Sequence, residues 1–123
     1  PLGGNLLTAT GSSIDEDGKA IYRMLLASPA HVRGALGMMA AWDLTRFDQM
    51  LRRLPFPMTV IAARDDPMVP IENSRHAAQQ ASGSRLILTE RGGHLLHECR
   101  ADEIAQWLGE VLGDQNSNGA DAA

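Results

Sequence analysis

Apolar residues recur at helical spacing through the first 54 positions, then give way after Pro55 to short β-branched runs separated by a polar, helical stretch. Ser13-Ile-Asp-Glu16 has the Ser-x-x-Glu spacing of a capping box, and Ile21, Met24 and Leu25 continue as one apolar stripe. Ser28-Pro29 restarts the pattern: a serine cap precedes a proline at the first helical position, where its missing N–H costs nothing. Val32, Ala35, Leu36 and Met39 follow on one face. Asp43 is placed to cap a third helix carrying Phe47, Leu51 and Leu54.

Pro55-Phe-Pro57 ends the helical front. Beyond it the pattern predicts a strand at 58–62, a helix at 71–82 closed by Gly83, a strand at 85–89 and a helix at 101–112. Ile104, Leu108 and Val111 face inward on the last helix, and Gly113 is its predicted stop. The small polar residues 114–123 predict a disordered tail. Strand, helix, strand implies two parallel strands joined by a right-handed crossover. Two parallel strands need further sheet to cover their faces and edges, so the chain reads as part of a larger α/β fold.

Composition narrows the partners. The 123 residues carry a net charge of −4, and the basic doublet Arg52-Arg53 reads as a solvated helix face, which argues against nucleic acid. Cys99 is the sole cysteine, so no internal disulfide is possible and a reducing, cytoplasmic setting fits. No apolar run approaches the roughly 20 residues of a membrane span. The opening Pro1-Leu-Gly-Gly-Asn-Leu-Leu lacks the basic start and long apolar core of a signal peptide, and beginning on proline suits a fragment.

The candidate chemistry lies in two loops. Met58-Thr-Val-Ile-Ala-Ala63 runs into Arg64-Asp65-Asp66-Pro67-Met68-Val69-Pro70, and Arg85-Leu-Ile-Leu-Thr89 runs towards Gly92-Gly93-His94. Open α/β sheets place their sites in the loops beyond strand C-termini. Asp66 is the candidate acid, stiffened by Pro67 and Pro70, although Asp-Pro is also an ordinary turn former. Asp65 reads as solvated. His94 is the candidate base, on a turn that two glycines leave free to bend tightly. Together they predict an imidazole that moves a proton while a carboxylate holds its tautomer.

Other assignments fit less well. His94-Leu-Leu-His97-Glu98 matches no zinc spacing, so no metal or cofactor is predicted; His97 and Glu98 read as braces for the loop or caps of the last helix. Cys99 reads as a small buried residue. Gly11-Ser12-Ser13 lacks the second glycine of a nucleophile elbow. Met38, Met39 and Trp42 are core residues by spacing, or the lining of an apolar substrate pocket if the helical front is a lid.

These motifs resemble the α/β-hydrolase superfamily, with Asp66-Pro-Met-Val69-Pro70 similar to its Asp-x-x-Val-Pro loop and Gly93-His94 to its histidine turn. The glycine usual three residues before the acid is Ala63 here. A narrower resemblance joins Thr10-Gly-Ser-Ser-Ile-Asp15, Gly18, Tyr22, His31-Val32, the run Gly34–Ala40, Trp42-Asp-Leu44 and His97-Glu98. It is to the magnesium-chelatase accessory α/β-hydrolases encoded with bacteriochlorophyll biosynthesis enzymes. Cys99 departs from an acidic residue expected beside Glu98.

The resemblance implies the C-terminal portion of an α/β-hydrolase fold: residues 1–54 as a helical lid, 55–113 as core and 114–123 as tail. It implies that the N-terminal strands, oxyanion hole and nucleophilic serine lie outside this chain, which alone is then inactive. The implied partners are a small-molecule substrate such as a tetrapyrrole, near magnesium insertion into protoporphyrin IX, and magnesium-chelatase subunits. A general carboxylesterase-type hydrolase and a non-catalytic accessory binding a tetrapyrrole or the chelatase remain the alternatives.

Overall fold

The computed structural model describes residues 2–120 of the chain. Its elements run α1 (Leu2–Ala9), α2 (Glu16–Leu26), α3 (Pro29–Ala40), α4 (Phe47–Arg52), β1 (Thr59–Ala63), α5 (Ile71–Gln80), β2 (Arg85–Thr89), α6 (Leu96–Cys99) and α7 (Ala101–Ala120). A helical front therefore precedes a β-α-β unit and two closing helices. This is a mixed α/β arrangement, the class that the switch in apolar period after Pro55 predicts.

β1 and β2 pair in parallel, with Thr59 opposite Arg85 and Ala63 opposite Thr89. The ladder continues one step at each end: Arg85 N–H donates to Met58 O, and Arg64 N–H donates to Thr89 O, both at 2.9 Å. Among the described residues these are the only strands, so each has one unpaired edge. α5 packs on β1 and touches β2, while α4 leans on α5. Asp48 on α4 accepts from His76 on α5 at 2.9 Å, and Arg52 Nε donates to Gln80 Oε1 at 2.7 Å.

Burial is thin. Among the described residues the buried apolar ones are Ile14, Leu51, Ala63, Ala81 and Leu96, and within the strands only Ala63 and Thr89 are buried. Val60, Ile61, Leu86, Ile87 and Leu88 stay partly exposed, although parallel strands are normally covered on both faces. The apolar positions of α3 bury nothing fully: Leu36, Met38 and Met39 are 58%, 58% and 45% exposed.

Local chemistry moves several boundaries. Asp15, not Ser13, caps α2, its carboxylate accepting from Gly18 N–H at 2.7 Å. Ile14 is buried ahead of the helix, which starts two residues later than a Ser13 box would place it. Ser28 and Pro29 do start α3, with Ser28 Oγ accepting from His31 N–H. Asp43 does not cap α4, which begins at Phe47. Its carboxylate is taken by Thr45 N–H at 2.9 Å and Thr45 Oγ1 at 2.6 Å, a local turn that competes with capping. Thr45 thereby holds the Asp43 carboxyl below its ordinary range.

The C-terminal helix also differs from expectation. α7 continues through Gly113 to Ala120, so residues 114–120 of the expected tail fall within a helix; 121–123 lie outside the described residues. Gly113 does not adopt the left-handed conformation that closes a helix, and an interior glycine costs a helix only about 1 kcal/mol. Gly83, after α5, does turn left-handed at φ +69°. No helix among the described residues is long and apolar enough to cross a membrane.

Candidate active site

The register sets the site. Ala63 and Thr89 sit side by side at the ends of the strands, so the loops that follow them leave the sheet together. Asp66 comes three residues after one strand and His94 five after the other.

In the first loop, Asp66 Oδ1 accepts from the N–H groups of Met68 (2.8 Å) and Val69 (3.0 Å), which fixes the carboxylate plane. Its other oxygen, Oδ2, lies 3.0 Å from His94 Nδ1. The acid is 14% exposed and the imidazole 37%. Burial pushes the Asp66 carboxyl up, but the bonds from Val69, His94 and Met68 outweigh it and hold the carboxyl below its ordinary range. An ionised Asp66 makes Nδ1 the protonated nitrogen of a neutral ring, which leaves the Nε2 lone pair as acceptor. No hydrogen bond from a described residue reaches Nε2.

Asp65 is not merely solvated, as the sequence suggested: its Oδ1 accepts from Gly93 N–H at 2.9 Å. Adjacent carboxylates thus divide the work, Asp66 on the ring and Asp65 on the turn that carries it.

A third segment closes over that turn. Thr10 O accepts from His94 N–H at 2.8 Å. Ser12 Oγ donates to Gly92 O and accepts from Leu95 N–H, each at 2.8 Å. The approach is close enough that a Cβ on Gly93 would lie 2.6 Å from Gly11 C, Thr10 O and Ser12 Oγ. Gly93 adopts φ +63°, so both conformation and space call for glycine. Gly11 is similarly placed, at φ +68°, with its missing side chain 2.9 Å from Pro67 Cδ.

Further out, the Tyr22 hydroxyl donates to Glu98 Oε1, tying α2 to α6. That bond, with burial and the nearby charges of Glu98 and Cys99, pushes the Tyr22 phenol up to about 12. Glu98 also lies 3.5 Å from His97 Nε2, and Cys99 is half-buried. Arg100 donates to both oxygens of Glu103 (2.7 and 2.6 Å), to Thr89 Oγ1 and to Arg91 O, binding the end of β2 to the start of α7. An open cavity of about 610 Å³ borders Asp65, Arg91 and Arg100, but neither Asp66 nor His94 lines it. Met38 and Met39 sit near the end of α3 and Trp42 just beyond it, all exposed, and α3 packs against α2.

The fold thus brings Asp66 and His94 together, while the roles of Asp65, Thr10 and Ser12 escaped sequence reasoning. Gly11 beside Ser12 and the pair Gly92-Gly93 were the available signals, each marking a place where backbone approaches closely.

The model of one protein family, serine hydrolase, matches residues 4–110. The chain belongs to the serine hydrolase family. Over 109 residues, 85% of its length, the chain is 42% identical to the magnesium-chelatase 30 kDa subunit of Rhodobacter capsulatus. It covers 38% of that relative. Over 44 residues it is 46% identical to a candidate carbamate hydrolase, RutD, of Pseudomonas savastanoi and to RutD of Pseudomonas syringae, covering 36% of this chain and 17% of each relative.

Proposed function

We propose that residues 1–123 are the C-terminal part of an α/β-hydrolase in which Asp66 and His94 are the acid and base of a catalytic triad, and that the whole protein is a cytoplasmic accessory of magnesium chelatase in bacteriochlorophyll biosynthesis. The observation that carries the chemistry is the 3.0 Å approach of Asp66 Oδ2 to His94 Nδ1, with Nε2 unengaged by any described residue. In this reading Nε2 takes the proton of a nucleophile supplied by a segment beyond these residues, then returns it to the leaving group. Asp66 holds the tautomer and stabilises the imidazolium. Residues 1–54 form the lid and 55–113 belong to the core. Exposed Met38, Met39 and Trp42 supply an apolar wall for a substrate such as a tetrapyrrole. Similarity to the chelatase 30 kDa subunit over 85% of the chain supports the accessory role.

The shorter match to RutD supports a second reading, a hydrolase of an unrelated small substrate. In the full-length protein, His94→Ala should lower hydrolysis of a short-chain aryl ester by about 10²–10⁴-fold. Full activity in that variant would remove the triad. Adding the full-length protein to a reconstituted magnesium-chelatase reaction should raise magnesium-protoporphyrin formation. An unchanged rate would leave only the general hydrolase.

A further inference from the structure

The turn that carries His94 has little shape of its own. Gly92 and Gly93 stand at φ +147° and +63°, and glycine pairs are the least conformationally committed stretches of a chain. Yet three successive N–H groups are each assigned to a different acceptor: Gly93 to Asp65 Oδ1, His94 to Thr10 O and Leu95 to Ser12 Oγ. The Ser12 hydroxyl also donates to Gly92 O, so one side chain grips the turn before and after the histidine.

We propose that Ser12 and Asp65 are positioning residues for His94: they hold the backbone on either side of the imidazole so that Nδ1 stays on Asp66 and Nε2 keeps one direction. This rests on the reading of His94 as the base. Asp66 alone fixes one ring atom, and a ring pinned at one atom on a flexible turn still swings. The two supports come from separate segments of the chain. Asp65 shares the acid's own loop, and Ser12 lies on the connection between α1 and α2, 83 residues before Leu95. A misplacement of about 1 Å in a catalytic group is enough to cost about 10²-fold in rate. Serine fits the task because its hydroxyl donates and accepts at once.

Four variants of the full-length protein separate positioning from bulk structure. Ser12→Ala removes both hydroxyl bonds and Ser12→Thr keeps them; Asp65→Ala removes the acceptor and Asp65→Asn keeps one. His94 ring nitrogen shifts, assigned against His94→Gln, report the tautomer, and aryl ester kinetics report kcat and KM. Both alanine variants should show a ring averaged between tautomers and a kcat lower by about 10–10²-fold with KM unchanged. The threonine and asparagine variants should restore the single tautomer and most of kcat. An alanine variant with wild-type ring signals overturns the proposal for that residue. So does one that unfolds, since that residue would then belong to the fold rather than to the histidine. Absence of any ester turnover in the wild type would count against the hydrolase reading, and the ring signals would then decide this inference alone.

Discussion

Asp66 Oδ2 and His94 Nδ1 stand 3.0 Å apart across 28 residues of sequence, and their neighbours Asp65 and Gly93 form a second bond of 2.9 Å beside the first. The two loops are therefore joined twice, once through side chains and once from side chain to backbone. The first contact orients the imidazole and the second holds the turn that carries it.

The ionised form of Asp66 is favoured by the fold, and its contribution to stability has a definite sign with pH. A carboxyl held below its unfolded value of about 3.9 stabilises the fold above that value and stops doing so as pH falls through the folded one. Replacing Asp66 by Asn should cost about 1–2 kcal/mol near neutrality. Urea melts of both forms should converge in acid. A gap that widens below about pH 4 would mean the carboxyl is not ionised in the folded protein.

Tyr22 is the single tyrosine, so near-ultraviolet absorbance titrates it alone. Its midpoint should lie near 12, held there by the bond to Glu98. The raised value means that the bond's contribution is complete below about pH 10 and fades as pH rises through 12. Tyr22→Phe should cost about 1 kcal/mol at neutral pH. A midpoint of about 10 would show that α2 and α6 are not tied in this way.

Two glycines offer opposite outcomes for the same substitution. At Gly93 an added methyl meets backbone at 2.6 Å in a left-handed conformation, so Gly93→Ala should destabilise by about 3 kcal/mol or more. At Gly37, in α3, nothing lies within 4 Å, and Gly37→Ala should stabilise by about 0.5–1 kcal/mol through helix propensity. Thermal melts read both. Equal effects at the two positions would contradict the packing of residues 10–12 on the histidine turn.

Taken alone, the 123-residue chain should self-associate. Each strand has an unpaired edge, and its apolar residues are only partly covered. Trp42, Leu44, Met50 and Phe56 add further exposed apolar surface, at 60%, 64%, 63% and 60%. Size-exclusion chromatography with light scattering measures this directly. A monodisperse monomer melting in one sharp step would show that the thin core suffices.

What the sequence made legible was whatever depends on short-range chemistry. The β-branched runs, the Ser28-Pro29 start and the two loops all follow from residues within a few positions of one another. Asp66 was legible because Pro67, Val69 and Pro70 mark its loop, and His94 because two glycines precede it. What stayed hidden depends on distant partners. Ser12 looks like one of two serines before a helix until Gly92 and Leu95 are seen beside it. Asp65 looks solvated until Gly93 N–H is placed against it. The Ser13 cap gave way to Asp15, whose carboxylate takes Gly18 N–H, with the buried Ile14 left ahead of the helix. The helix continued through Gly113 because a glycine weakens a helix without obliging it to end.

The pairing of Ala63 with Thr89 has a consequence for how this chain tolerates change. Asp66 and His94 are each located by a short count from the end of a strand, three residues in one case and five in the other. The crossover through α5 enters neither count. Residues inserted at its exposed Ser82-Gly83 turn would lengthen the interval between Asp66 and His94 without moving either side chain. A slip of one residue in the sheet would carry one loop about 3.3 Å past the other and turn its side chains to the opposite face. Spacing along the chain is thus the wrong ruler for finding this pair in longer or shorter relatives. The strand ends are the fixed marks, and the length between them is free to drift.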